Sequence, residues 1–212
     1  MEDNLYDTFA KLRARGLARA MANTKQVKAA NIYNNGFSGT IGDGAAFFSA
    51  AHPTISDGLQ SNLLGAADLS EATLETALTA IQKTKDDRGI LVGASAISLH
   101  IPVDYWAVAD RVLSSPGNTQ TSAAQANPNN NAINATRHMG MVPEGFFINR
   151  RFTDTDAWFV KTDVPNGTKM FVRSPLQTKM EPDFDTGNLR FKARERYSFG
   201  VSDWRGWYGS AG

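Results

Sequence analysis

Residues 176–204, LQTKMEPDFDTGNLRFKARERYSFGVSDW, read as one β-hairpin. Phe184-Asp185-Thr186-Gly187-Asn188 supplies the turn chemistry between two arms. In the second arm Leu189, Phe191, Ala193 and Glu195 alternate with Arg190, Lys192, Arg194 and Arg196, so one face collects four bases. Such a strand is half exposed or packed against acids. The first arm brings Glu181, Asp183 and Asp185, and cross-strand ion pairs are the plain reading. The tail that follows, GVSDWRGWYGSAG, holds Trp204, Trp207 and Tyr208. These need a surface to bury against, either a core strand of this chain or a neighbouring subunit.

Working back from the hairpin, Met141-Val142, GFFINRRF, AWFVKTDV and KMFVR look like strands across 139–172, with Val164-Pro165-Asn166-Gly167-Thr168 a tight turn. Residues 117–134, rich in Asn, Gln, Ser and Thr, form a long polar loop. Before it, Asp104 opens a helix, YWAVADRVLSS, that Pro116-Gly117 ends. ILVGASAISLHIPV (90–103) alternates at Ile97, Leu99 and Ile101 and predicts a strand capped by Pro102. Asp68-Leu69-Ser70-Glu71 starts another helix, whose stripe is Leu74, Ala77, Leu78 and Ile81 and whose terminator is Gly89.

At the far end, residues 1–35 read as one long helix that stops at Asn34-Asn35-Gly36. Leu5, Phe9 and Leu12 step by four and three, and Ala20, Thr24, Val27 and Asn31 continue the line. A second stripe, Tyr6, Ala10, Leu17 and Met21, runs beside it. Alanines favour the helix, while Gly16 costs about 1 kcal/mol. Glu2, Asp3 and Asp7 lie at the start and Lys11, Arg13, Arg15, Arg19, Lys25 and Lys28 follow, which suits the helix dipole. The basic face is either solvated or turned toward a polyanion or an acidic neighbour. The Leu5/Phe9/Leu12 stripe is expected to pack on the 176–200 hairpin.

The 212 residues are 42% hydrophobic and 20% charged, a globular balance. The absence of Cys excludes disulfides, Cys-based metal sites and a thiol nucleophile. A net charge of +1 gives no global basic field. No apolar run reaches the roughly 20 residues that span a bilayer, and MEDNLYDTF is too acidic for a signal peptide. His52 stands before Pro53 and reads as a locally bonded turn residue. His52, His100 and His138 show no metal-ligand spacing. Asp86-Asp87 reads as a solvated pair, with no third ligand in view. Walker, GxGxxG, HExxH and GxSxG patterns are absent. Glu181, Asp183 and Asp185 could serve as the carboxylates of a glycosidase or a binding module. Their basic neighbours would lower rather than raise a carboxyl pKa, which defeats acid catalysis. The chain is therefore not read as an enzyme: no catalytic, cofactor-binding or metal-binding residue is assigned, and no cofactor.

Six stretches together resemble the major capsid protein of tailed bacteriophages, in particular the major head subunit of Mu-type phages. They are FFSAAHPTISDG (47–58), SNLLGAADLSEATLETAL (61–78), KTKDDRG (83–89), IPVDYWAVADRVLSSP (101–116), MGMVPEGFFINRRFTDTDAWFVKTDVPNG (139–167) and DFDTGNLRFKARERYSFGVSDWRGWYGS (183–210). The resemblance covers about 45–212 closely and 1–44 more loosely. It implies an α+β chain with the Hong Kong 97-like capsid fold. A peripheral domain, 1–67 and 173–200, would hold the long helix and the hairpin. A mixed α/β axial domain, 68–172 and 201–212, would be inserted in it. It also implies a structural subunit that partners itself, in pentamers and hexamers of an icosahedral virion shell around double-stranded DNA. That DNA would be touched weakly and non-specifically, with no membrane involved. Scaffolding, portal or decoration proteins would be further partners, and assembly would take place in the host cytoplasm. Residues 114–137 would point to the capsomer axis. An N-terminal arm and extended loop of the family are missing ahead of the helix, so the numbering is expected to begin inside the family's usual chain. The alternative is an encapsulin-type nanocompartment shell.

Overall fold

The computed structural model describes residues 11–117, 133–185 and 189–212. It divides into two compact units. Unit 1 joins residues 1–29 to 169–200, and unit 2 joins 30–168 to 201–212. The chain is a mixture of helix and sheet. Residues 30–67, expected with the long helix and hairpin, cluster in unit 2.

Helix α1 runs Lys11–Asn34 and ends where Asn34-Asn35-Gly36 breaks it, with Gly36 N–H bonded back to the Tyr33 carbonyl. Leu5 and Phe9 of the expected stripe lie outside the described residues. Leu12 is 61% exposed and Val27 is exposed as well, so these two described members of the stripe face outward. The half-buried line is instead Ala14, Leu17, Met21 and Lys25, the second stripe continued by one turn. Lys25 reaches the hairpin: its Nζ lies 2.6 Å from Glu195 Oε2 and 5.2 Å from the centre of the Tyr197 ring. Strand β6 (Thr168–Pro182) and strand β7 (Leu189–Val201) form a two-stranded ribbon. At fifteen residues β6 is about 50 Å long. The ribbon begins eight residues earlier than 176, because the KMFVR strand and the first arm are one strand.

Unit 2 is built on a four-stranded sheet, ordered β4 (Phe146–Ile148), β3 (Ala96–Ile101), β5 (Trp158–Thr162), β8 (Trp207–Ser210). The β3–β4 pair is parallel; β3–β5 and β5–β8 are antiparallel. Trp158, Phe159 and Val160 are all buried because both faces of β5 are covered. Trp158 and Val160 point into a cluster with Leu74, Leu78 and Ile81 of α2 (Glu71–Gln82) and Val112 of α3 (Trp106–Ser114). Phe159 points into an aromatic cluster with Phe47, Phe48, Trp204 and Trp207. The terminal aromatics thus bury against a core strand of their own chain. A short antiparallel pair, β1 (His52–Pro53) with β2 (Leu59–Gln60), and a one-turn α4 (Ala135–His138) complete the unit.

Three local expectations fail for identifiable reasons. Helix α2 ends at Gln82, not Gly89. Gly89, at φ +83°, belongs to the turn 86–90, where the Asp86 carboxylate accepts N–H bonds from Arg88 and Ile90. Ile90, Leu91 and Val92 are exposed, and the strand starts only at Ala96. Met141-Val142 is no strand; it follows the short α4 as a turn, with Met141 N–H donating to the Thr136 carbonyl.

Candidate functional site

In unit 1 the ribbon presents apolar groups to solvent. Met170, Phe171, Val172 and Leu176 of β6 and Phe191 of β7 are exposed. Phe184, in the turn after β6, is fully exposed. Along β7 the alternation seen in the sequence is physical. Ala193, Glu195, Tyr197 and Phe199 are half-buried, while Lys192, Arg194 and Arg196 are exposed. Glu195 is 8% exposed at its side chain and takes Lys25. One cross-strand pair forms as expected, with Arg190 Nη2 2.5 Å from Asp183, while Glu181 instead meets Lys179 of its own strand at 3.3 Å. The Glu181 pair is exposed on both sides, whereas Asp183 is 15% exposed at its side chain beneath an exposed Arg190.

In unit 2, sequence reasoning missed the residue that organises the aromatic cluster. Asn62 is fully buried. Its Nδ2 donates to the carbonyls of Phe47, Trp204 and Trp207 at 2.8, 3.2 and 3.0 Å. Its Oδ1 accepts from Ser49 N–H and from His52 Nε2, each at 3.0 Å. His52 bonds to groups near it in the chain, but from strand β1 and in the core: it is buried, its Nδ1 lies 2.6 Å from Asp43, and its ring stacks on Trp204 at 4.4 Å. Arg205 lies 4.3 Å from the centre of the same indole and 2.6 Å from Asp87. Asp87 is therefore an ion-pair partner, and Asp86 a turn cap whose carboxyl those backbone N–H bonds hold below its usual range. An Asn in SNLLG carries no periodicity, so only the fold could reveal its role. His100 is on β3, with Phe147 stacked on it at 5.3 Å, and His138 ends α4, so the three histidines stay apart. Among the described residues no group of three His, Cys, Asp or Glu could hold a metal. No helix among them is long and apolar enough to cross a membrane.

The polar loop expected at a capsomer axis falls largely on 118–132, outside the described residues. Its flanks are tied: Gly117 bridges Ile133, and Asn134 Nδ2 donates to the Val112 carbonyl at 2.5 Å.

Unit 1 thus exposes an apolar ribbon, and comparison with known sequences gives the chain a family. A family model described as phage capsid protein matches residues 1–210. The chain belongs to the phage capsid protein family. It is thus a structural, non-enzymatic protein of the virion. No curated protein matches it. In fold it is similar to a chain of Mycobacterium phage Che8, with TM-score 0.51 and 16% identity over 98% of this chain. The match takes in 66% of the Che8 chain, so this sequence spans just under two thirds of that length. Further similar chains come from a capsid of an empty GTA particle (TM-score 0.49, 13% identity, 98% of this chain and 69% of that one) and a virus-like particle from Pyrococcus furiosus (TM-score 0.42, 10% identity, 76% and 57%).

Proposed function

We propose that this capsid protein is the major shell subunit of a tailed double-stranded DNA phage or prophage. Copies associate as pentamers and hexamers of an icosahedral shell that encloses the genome. The observation that carries the reading is the β6–β7 ribbon, which exposes apolar side chains along its length and has no third strand among the described residues. A two-stranded ribbon is marginal in water, and its open edges invite pairing. Neighbouring copies in a shell supply the cover that the ribbon lacks. In this reading the long helix and ribbon are the peripheral part of a Hong Kong 97-type subunit and the sheet unit its axial part. The Asn-rich 114–137 loop lies at the capsomer axis, where like charges would repeat around the ring. Scaffolding, portal and decoration proteins are further partners, assembly occurs in the host cytoplasm, and packaged DNA is touched weakly through its phosphates. Negative-stain imaging of the purified full chain tests the reading. Closed particles of uniform diameter support it. Monomers or amorphous aggregate at every salt and pH overturn it, and closed shells filled with a second protein instead of nucleic acid assign a nanocompartment.

A further inference from the structure

Counted by unit, the near-neutral chain is two opposite charges. Unit 1 carries thirteen bases against seven acids, a net +6, and unit 2 nine bases against fourteen acids, a net −5. Along β7, Lys192, Arg194 and Arg196 stand on one exposed face, ~7 Å from each to the next at strand spacing. Arg190, the first base on that face, is already taken by Asp183, and the other ion pairs of unit 1 are Lys25 with Glu195 and Lys179 with Glu181. The three row residues therefore have no acidic partner among the described residues. Glu195 and Tyr197, which meet Lys25 of α1, alternate onto the other face of the strand, so that contact leaves the row open.

We propose that this cationic row docks on the acidic unit 2 of a second copy of the chain. The inference rests on the shell-subunit reading and adds the polarity of one of its contacts. A row of cations fits either nucleic-acid phosphates or the acids of a protein, and the charge balance selects the second. The whole chain, at +1, offers packaged phosphates no overall attracting field, whereas unit 2 of another copy meets the row with a net −5. Every copy carries both charges, so contact donors and acceptors stay equal in number however many copies assemble. Such a contact is heterologous, unit 1 of one copy on unit 2 of the next, and it closes a ring or propagates. The opposite fields also orient the approaching copies before they touch.

Light scattering of the wild-type chain in about 0.1 M and about 1 M NaCl, where the screening length falls from about 10 Å to about 3 Å, is the first test. The assembled fraction drops several-fold at high salt; a fraction that holds or rises overturns the proposal. Lys192→Glu/Arg194→Glu/Arg196→Glu should lose assembly at low salt while melting, unassembled, as the wild type does. Assembly at the wild-type level overturns the proposal, and so does a lowered melting temperature with assembly intact, which places the attraction within one chain. A second measurement does not depend on that variant folding. The chain has no Cys, so Arg194→Cys offers a unique anchor for a photo-cross-linker in shells mixed from isotopically light and heavy copies. Light–heavy cross-links into residues 30–168 or 201–212 are expected. Cross-links to unit 1 alone, within one copy, or to nucleic acid overturn the assignment. If the wild type forms no shells, the shell reading falls and this inference with it; shells cross-linked elsewhere sink only the inference.

Discussion

Asn62 shows how much one side chain can hold. It bonds three carbonyls and accepts two donors in a site closed to water, joining the 47–52 segment to the 204–207 tail. Asn62→Ala strands these groups without partners and should cost about 2–4 kcal/mol, since each buried orphan costs about 1–3 kcal/mol; calorimetry of the unassembled chain measures it. His100 gives a pH signature. Burial holds its imidazole down to about 4, and the nearby Lys161 charge adds to the depression. The unfolded chain takes that proton near 6.5. The stability contributed by neutral His100 is therefore complete above about pH 6.5 and is lost as pH falls toward 4. Urea titrations of wild type and His100→Gln should converge or cross by about 1–3 kcal/mol between pH 7 and pH 4. A constant difference would show that the proton is not excluded.

Among the elements, α1 separates pattern from packing. Both of its stripes are legible in the sequence, and both have helical spacing, so periodicity alone could not choose the buried one. The Lys25 contact with Glu195 and Tyr197 decides it. Leu12→Ala, at 61% exposure, should change stability by less than about 0.5 kcal/mol. Lys25→Ala leaves a nearly buried Glu195 without its base and should cost about 1–3 kcal/mol, below the range for a fully buried pair; thermal melts of both variants rank them. The α2 stripe, the β5 run and the hairpin alternation were readable because burial on one or both faces imposes a period. The end of α2, the late start of β3 and the turn at Met141 were not, because capping carboxylates and short returns leave no repeat. The packing of the C-terminal aromatics was half legible: their need for cover showed, their partner strand did not. A close approach fixes their placement. A Cβ on Gly206 would stand 2.6 Å from the Gly167 Cα, and one on Gly209 would stand 2.8 Å from the Phe48 ring. Gly206→Ala meets backbone that cannot rotate away, so it should destabilise more than Gly209→Ala, by about 1–3 kcal/mol, as chemical denaturation would register.

At the scale of the whole molecule, stability is unevenly held. The β3–β5–β8 ladder lies between two covered faces, while strand β6 of the ribbon is open to water over most of its length. Hydrogen exchange of the unassembled chain should be slowest at Leu99, Val160 and Tyr208 and fast through 170–182. Assembly should slow the ribbon and leave the ladder unchanged; a ribbon protected before assembly would contradict the exposure on which the shell reading rests. The connection between ribbon and sheet has a mechanical meaning. The ribbon leaves after β5 and returns before β8, and these two strands pair with each other. Its two feet are fastened where Ser202 N–H donates to the Gly167 carbonyl at 3.0 Å. Parting the feet would break the Ser202–Gly167 bond first and then open the β5–β8 ladder from its Lys161–Trp207 end toward Trp158–Ser210, so strain that separates the two ribbon strands runs as a zipper into the core.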